Sequence, residues 1–252
     1  DDILIGNGGA DHHIGAAGTD AAAYFDALSG VRAYLATPGA NIGEALGDTY
    51  DSIENLLGSA FGDRLGGDGG VNTLNGNDGD DILIGNGGAD ALIGGNGIDA
   101  AAYFDAVAGI AASLSGPGTN TGEAIGDTYN SIENLLGSAF GDTLRGDNNV
   151  NTMNGNDGND TLFGQGGADT LIGSNGLDTL DGGSGNDTLT GGADADRFIG
   201  TDSMGLDRIL DWQDGSDKID LAAVTGVTGF GNLTVTPHAL GALVSWNGGV
   251  DG

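Results

Sequence analysis

The chain contains no cysteine, so neither a disulfide nor a thiolate metal site can hold its fold together. Lys and Arg are scarce, 6 residues among 252 against 37 Asp and Glu, giving a formal charge of −31. Nucleic acid and anionic membrane surfaces are excluded as partners, because phosphate contacts need cationic side chains. No run of about 18 apolar residues occurs, so no helix inserts across a membrane. No N-terminal signal peptide is visible. Catalytic arrangements are absent too. There is no HExxH, and Gly182-Gly183-Ser184-Gly185 lacks the strand-to-helix setting of a nucleophile elbow. The three histidines His12, His13 and His238 are scattered. The chain therefore reads as non-catalytic, with any catalytic domain outside it.

What the chain has instead is glycine, 53 residues, and aspartate at fixed intervals. Shifted by 79 positions, residues 1–79 align with 80–158 without a gap, and 58 of the 79 positions are identical. Within this unit runs a shorter period of nine. Glycine opens a nonapeptide at 6 and 15, at 58, 67, 76, 85 and 94, and at 137, 146, 155, 164, 173, 182 and 191. Most copies carry Asp at the sixth place and an apolar residue at the eighth, as in "GGSGNDTLT", Gly182 to Thr190. The chain opens on "DDILI", which recurs at 80–84 in mid-repeat, and it is read as part of a longer protein.

One copy has a direct physical reading. Glycines admit the positive φ values of tight turns. The triplet around place eight is strand-like, its central residue facing one way and its neighbours the other. Three-residue strands need stacked neighbours to bury that residue. The expected fold class is thus all-β, a parallel β-roll or β-solenoid of nine-residue half-coils with turns on both edges. The core is thin. Burying one Leu gives about 1.5–3 kcal/mol, while ordering nine residues costs roughly 1 kcal/mol or more each. A bare charge of −31 also opposes compaction. A cation is the missing ingredient.

Stacking places the aspartates of every second copy, 18 residues apart, on one edge in adjacent layers, with Asp160 facing Asp178, Asp169 facing Asp187, and Asp178 facing Asp196. Carboxylates with turn carbonyls form an all-oxygen set that suits Ca²⁺, which takes six to eight such ligands. The candidate metal residues are Asp2, Asp11, Asp20, Asp63, Asp81, Asp90, Asp99, Asp142, Asp160, Asp169, Asp178, Asp187 and Asp196. Asn72 and Asn151 replace Asp at place six and are expected to weaken or empty their sites. His13 occupies an apolar place, and the His12-His13 pair reads as incidental.

These nonapeptides resemble the hemolysin-type calcium-binding repeats of the RTX (repeats-in-toxin) family, glycine- and aspartate-rich copies in unbroken register. The resemblance implies several bound calcium ions. It also implies export from a bacterium to a secreted, extracellular or cell-surface location through export machinery of the type I kind. Sites of the extracellular class, with affinities of about 10⁻⁴–10⁻³ M, would stay empty inside the cell, so the chain would fold on meeting calcium outside.

Four regions are expected: units 1–79 and 80–158, a continuing roll over 159–199, and a β-rich capping segment over 200–252. That last segment resembles the one following the roll in serralysin-type metalloproteases, with Trp212 where an aromatic is usual. Segments 24–57 and 103–136 read as wider coils of the same solenoid. Within them Asp48, Asp127, Glu54 and Glu133 read as a solvated face rather than added ligands. Tyr24, Phe25, Tyr103 and Phe104 read as packing bulk rather than carbohydrate platforms. Two alternatives stay open: an accessory domain of a secreted metalloprotease, lipase or alginate epimerase, and a spacer of a surface layer or adhesin that self-associates into a lattice.

Overall fold

The computed structural model describes residues 1–201, 205–213 and 215–223, together with the backbone of strands Leu233–His238 and Gly241–Asn247. The chain divides into two compact units, Asp1–Ala106 with Gly116–Asn134, and Val107–Ser115 with Leu135–Gly252. Each is a parallel β-roll, as the nine-residue period requires.

The second unit shows the plain pattern. One ladder stacks Ala111–Ser113, Thr143–Arg145, Thr161–Phe163, Thr179–Asp181, Arg197–Thr201 and Lys218–Ala223 in parallel. Another stacks Thr152–Asp157, Thr170–Asn175, Thr188–Ala193 and Leu206–Trp212. Register is set by place eight, so Leu144, Leu162, Leu180 and Phe198 pair in one column. Met153, Leu171, Leu189 and Ile209 form the other. All eight are fully buried. A one-residue slip would turn each column outward, so a single apolar residue per triplet suffices to fix the register. Beyond Leu206–Trp212 the direction reverses, and Gly241–Asn247 then Leu233–His238 join antiparallel. Trp212 lies 6.3 Å from the Phe198 ring, at the end of the column.

In the first unit, Ile3–Leu4, Ala21–Ala23, Asn55–Leu57, Thr73–Asp78, Ala91–Asn96 and Thr128–Asn130 form one parallel ladder. Arg32–Tyr34, Arg64–Gly66, Ile82–Ile84 and Ala100–Ala102 form a second. His12–Ile14 pairs with Thr49–Asp51. The 24–57 segment is a coil enlarged in place: Ala21 pairs with Asn55, Arg32 with Arg64 and His12 with Thr49, across much longer stretches than the usual 18 residues. Two short 3-10 turns, Pro38–Ala40 and Gly43–Ala45, take up the extra chain.

The turns explain the glycines at two places. Place two is left-handed in most regular copies, with φ of 75° at Asn77, 71° at Asn156 and 74° at Gln165. Asn tolerates that region best among residues with side chains. Its amide then reaches the carbonyl of the layer before, Asn77 to Gly58 at 2.8 Å and Asn156 to Gly137 at 2.8 Å. Place four holds glycines such as Gly176, φ 134°, and Gly185, φ 135°. A Cβ there would lie 1.6 Å from the Gly158 carbonyl oxygen or 1.5 Å from that of Gly167. Layers stack that closely only because glycine has no side chain.

Candidate metal centre

Each half-coil brings its place-six aspartate to a roll edge just after the glycine turn, and there the side chain turns inward. One carboxylate oxygen caps the layer before it. The Asp142 amide donates to Asp160 Oδ1 at 2.7 Å, that of Asp160 to Asp178 at 2.8 Å, and that of Asp178 to Asp196 at 3.0 Å. On the other edge the Asp169 amide donates to Asp187 Oδ1 at 2.8 Å. In the first unit Asp63 donates to Asp81 at 2.7 Å and Asp81 to Asp99 at 2.8 Å. The facing pairs expected from the 18-residue spacing are therefore present as amide-to-carboxylate ladders.

The second oxygen is the notable one. Oδ2 of Asp11, Asp20, Asp81, Asp90, Asp99, Asp160, Asp169, Asp178, Asp187 and Asp196 is buried and has no hydrogen-bond partner. An unpaired buried carboxylate oxygen is costly. Each of these atoms lies against the glycine that opens its own copy. A Cβ on Gly155 would come within 2.0 Å of Asp160 Oδ2, one on Gly164 within 2.4 Å of Asp169 Oδ2, and one on Gly173 within 2.2 Å of Asp178 Oδ2. Place-one glycine thus keeps a cradle open beside the carboxylate. Among the described residues no three His, Cys, Asp or Glu side chains converge as a metal cluster. Each carboxylate meets the backbone amide of the layer before it, so the balance of a calcium shell would come from turn carbonyls and water. This all-oxygen donor set fits a hard cation.

Electrostatics agree with the geometry. Burial, with the neighbouring carboxylates adding to it, pushes Asp81, Asp90, Asp160 and Asp169 up to about 7, and Asp196 up to about 6. Ladder hydrogen bonds oppose the rise without cancelling it. Without a cation the ladder is a stack of acids that resist ionisation.

The remaining expected residues sit differently. Asp2 is exposed, its amide donating to Asp20 Oδ1. Both oxygens of Asp63 accept from Ser59, and both oxygens of Asp142 from Ser138. Asn72 is buried and self-satisfied, its Oδ1 accepting from the Asp68 amide at 2.8 Å and its Nδ2 donating to the Glu54 carbonyl at 2.7 Å. An aspartate there would face that carbonyl with no proton to donate. The two histidines point to different surroundings: His12 is exposed and bonded to Thr49 Oγ1 at 2.7 Å, while His13 is buried against Tyr50.

Several ladder members escape the nine-residue pattern. Asp48 and Asp127 do not form a solvated face; they are buried. They accept the amides of Asp11 and Asp90 at 2.9 Å each. Glu54 and Glu133 accept those of Asp20 and Asp99 at 2.8 Å. At the far end Asp207 and Asp217 accept the amides of Asp187 and Asp196, at 2.9 and 3.1 Å. Their signal is Asp followed by one residue and an apolar one, "DRIL" and "DKID", without an opening glycine. Tyr24 and Tyr103 are buried packing residues as expected, whereas Phe25 is half exposed.

A family model described as the RTX calcium-binding nonapeptide repeat (4 copies) matches residues 66–100, 136–171 and 172–202. Residues after 202 lie beyond these matches, which do not bear out the expected resemblance of the C-terminal segment to serralysins. No curated protein matches the chain. Among solved structures, the chain is similar to the AlgE6R3 subunit of the Azotobacter vinelandii mannuronan C5-epimerase. That similarity is 28% in identity over 43% of this chain and 71% of that one, with a TM-score of 0.19.

Proposed function

We propose that the chain, whose residues 66–100, 136–171 and 172–202 match the RTX calcium-binding nonapeptide repeat, is a non-catalytic calcium-folded module of an exported bacterial protein. The observation that carries this reading is the set of ten buried Oδ2 atoms without a hydrogen-bond partner, each in a glycine cradle. Asp11, Asp20, Asp81, Asp90, Asp99, Asp160, Asp169, Asp178, Asp187 and Asp196 hold calcium in this reading. A divalent ion there supplies the positive charge that a chain with only six Lys and Arg cannot. The residues do the rest: the ladder oxygens lock successive amides, and the glycines bring the layers within reach.

Calcium bound to the folded state alone stabilises it by mass action. Where calcium is scarce, as in cytosol, the glycine–aspartate coils stay unfolded, which keeps most of the chain fit for passage through an export channel. Outside, it folds. Its location is then extracellular or at the cell surface, with calcium ions and the export machinery as its partners.

Calorimetric titration with calcium chloride tests the assignment. Asp169→Asn is expected to bind fewer ions than the parent chain, whereas Asp26→Asn, at an exposed turn residue, leaves the number unchanged. An Asp169→Asn titration superimposable on the parent would remove Asp169 from the ligand set.

A further inference from the structure

Two kinds of buried carboxylate occur in this fold, and they are segregated along the chain. In the regular copies one oxygen is left open, as described. In and after the wide coil the protein itself closes both oxygens of Asp48 and Asp63, whereas Glu44 Oε2 there has no partner. Asp48 Oδ1 accepts the Asp11 amide at 2.9 Å, and its Oδ2 accepts the Tyr24 hydroxyl at 2.9 Å, with His13 Nε2 at 3.3 Å. Tyr24 in turn meets the Tyr50 hydroxyl at 2.6 Å, and Tyr50 takes the Asn41 amide at 3.0 Å. Asp63 Oδ1 accepts the Val31 amide at 2.7 Å and the Ser59 hydroxyl at 2.8 Å, and its Oδ2 accepts the Ser59 amide. Asn72, the next place-six residue, carries no charge and satisfies its own amide.

The second copy repeats the arrangement. Asp127 accepts the Asp90 amide at 2.9 Å and the Tyr103 hydroxyl at 2.8 Å. Asp142 accepts the Ile110 amide at 2.8 Å and the Ser138 hydroxyl at 2.9 Å.

The wide coil also buries more apolar side chains than the regular copies do, six of them alanines. Residues 21–56 bury ten apolar side chains, among them Tyr24, Val31, Ile53 and Leu56, whereas 155–190, a stretch of equal length, buries four. Apolar burial is what offsets chain ordering when no ligand does. Here the hydroxyls of tyrosine and serine stand where a cation is needed elsewhere.

We propose that the wide coil of each 79-residue unit, with the Ser-closed turn that follows it, is a calcium-independent clasp, and that Asp63 and Asp142 take no calcium. This rests on the reading that the open carboxylates bind calcium. The roll is then built of two materials: clasps that stay ordered when calcium is withdrawn, and glycine–aspartate coils that melt and re-form between them. The clasps hold nucleated ends on which calcium-dependent coils rebuild, so refolding need not start from a featureless chain.

Hydrogen exchange on the full chain, with and without EGTA, reads this directly. In EGTA, amides of 49–66 are expected to exchange roughly tenfold or more slowly than those of 155–190, and calcium should slow chiefly the latter. Tyr24→Phe with Ser59→Ala should abolish the protection of 49–66 in EGTA. Asp63→Asn should leave the calcium stoichiometry unchanged, whereas Asp81→Asn lowers it. Uniform fast exchange in EGTA, or a lost ion in Asp63→Asn, overturns the clasp. A parent chain that binds no calcium would instead sink the function proposed above, and the EGTA exchange pattern would still decide whether the clasp exists.

Discussion

At pH 4 in EGTA the chain is expected to gain much of the β-structure that at pH 7.5 it reaches only with calcium. The sign follows from the buried aspartates. Asp81, Asp90, Asp160 and Asp169 are pushed up to about 7 in the folded chain, and Asp207 at the C-terminal end of the ladder likewise. An unfolded aspartate titrates near 3.9. A group raised on folding stabilises the fold fully below its unfolded value, and that contribution disappears as pH climbs through the folded one. The window therefore runs from about pH 4 to about pH 7. Each raised group works against the ionised fold, and the five act in the same direction. Ionising the ladder without a cation therefore works against the folded state, which is the expectation a pH series tests.

Calcium binding needs the same groups ionised, so its affinity should fall as pH drops toward 4 and protons should be released on binding. Circular dichroism across a pH series in EGTA, with sedimentation to confirm that the species is monomeric, checks the first half. A flat signal from pH 7.5 to pH 4 would contradict it.

Gly176→Ala is expected to be among the most damaging single methyl additions in the chain. Its Cβ would fall 1.6 Å from the Gly158 carbonyl oxygen, a backbone atom of the adjacent layer that cannot swing away. Its φ of 134° is also a region where alanine is strained. Each such residue costs on the order of 1–3 kcal/mol in strain alone, before the layers are forced apart. Because a solenoid transmits disruption only to its neighbours, the damage should centre on the layers of Asp160, Asp178 and Asp196. In saturating calcium the thermal midpoint is expected to fall by about 10 °C, using roughly 2–4 °C per kcal/mol for a chain of this size. Gly69→Ala, where an added Cβ meets nothing within 4 Å, should leave it unchanged. Equal midpoints for the two variants would mean that the layers do not stack this closely.

The regular part of the roll was legible because one period carries everything. Nine residues per half-coil set the strand, the buried column and the edge to which each aspartate goes. The stack of Leu144, Leu162, Leu180 and Phe198 follows from counting alone. The wide coils break that arithmetic. Ala21 pairs with Asn55 and His12 with Thr49 at unequal spacings, so no period could announce that Asp48 joins the ladder. Asp48 looked like a surface acid because its partner, Tyr24, lies 24 residues away and its neighbour in the ladder 37. Asp207 and Asp217 were hidden for the same reason, following the last regular aspartates by 20 and 21 residues rather than 18. The chemistry of Ser59 was in plain view but mute. A serine at place two gains meaning only once its hydroxyl and amide are seen to use up both oxygens of Asp63.

The most direct test of the account is far-ultraviolet circular dichroism of the whole chain at pH 7.5, titrated with calcium from EGTA to the millimolar range beside a magnesium series. The account predicts a minor β signal in EGTA, a cooperative rise to a fully β spectrum with calcium, and no comparable rise with magnesium, which demands a tighter shell and keeps its waters. A chain equally rich in β-structure in EGTA and in millimolar calcium would contradict it.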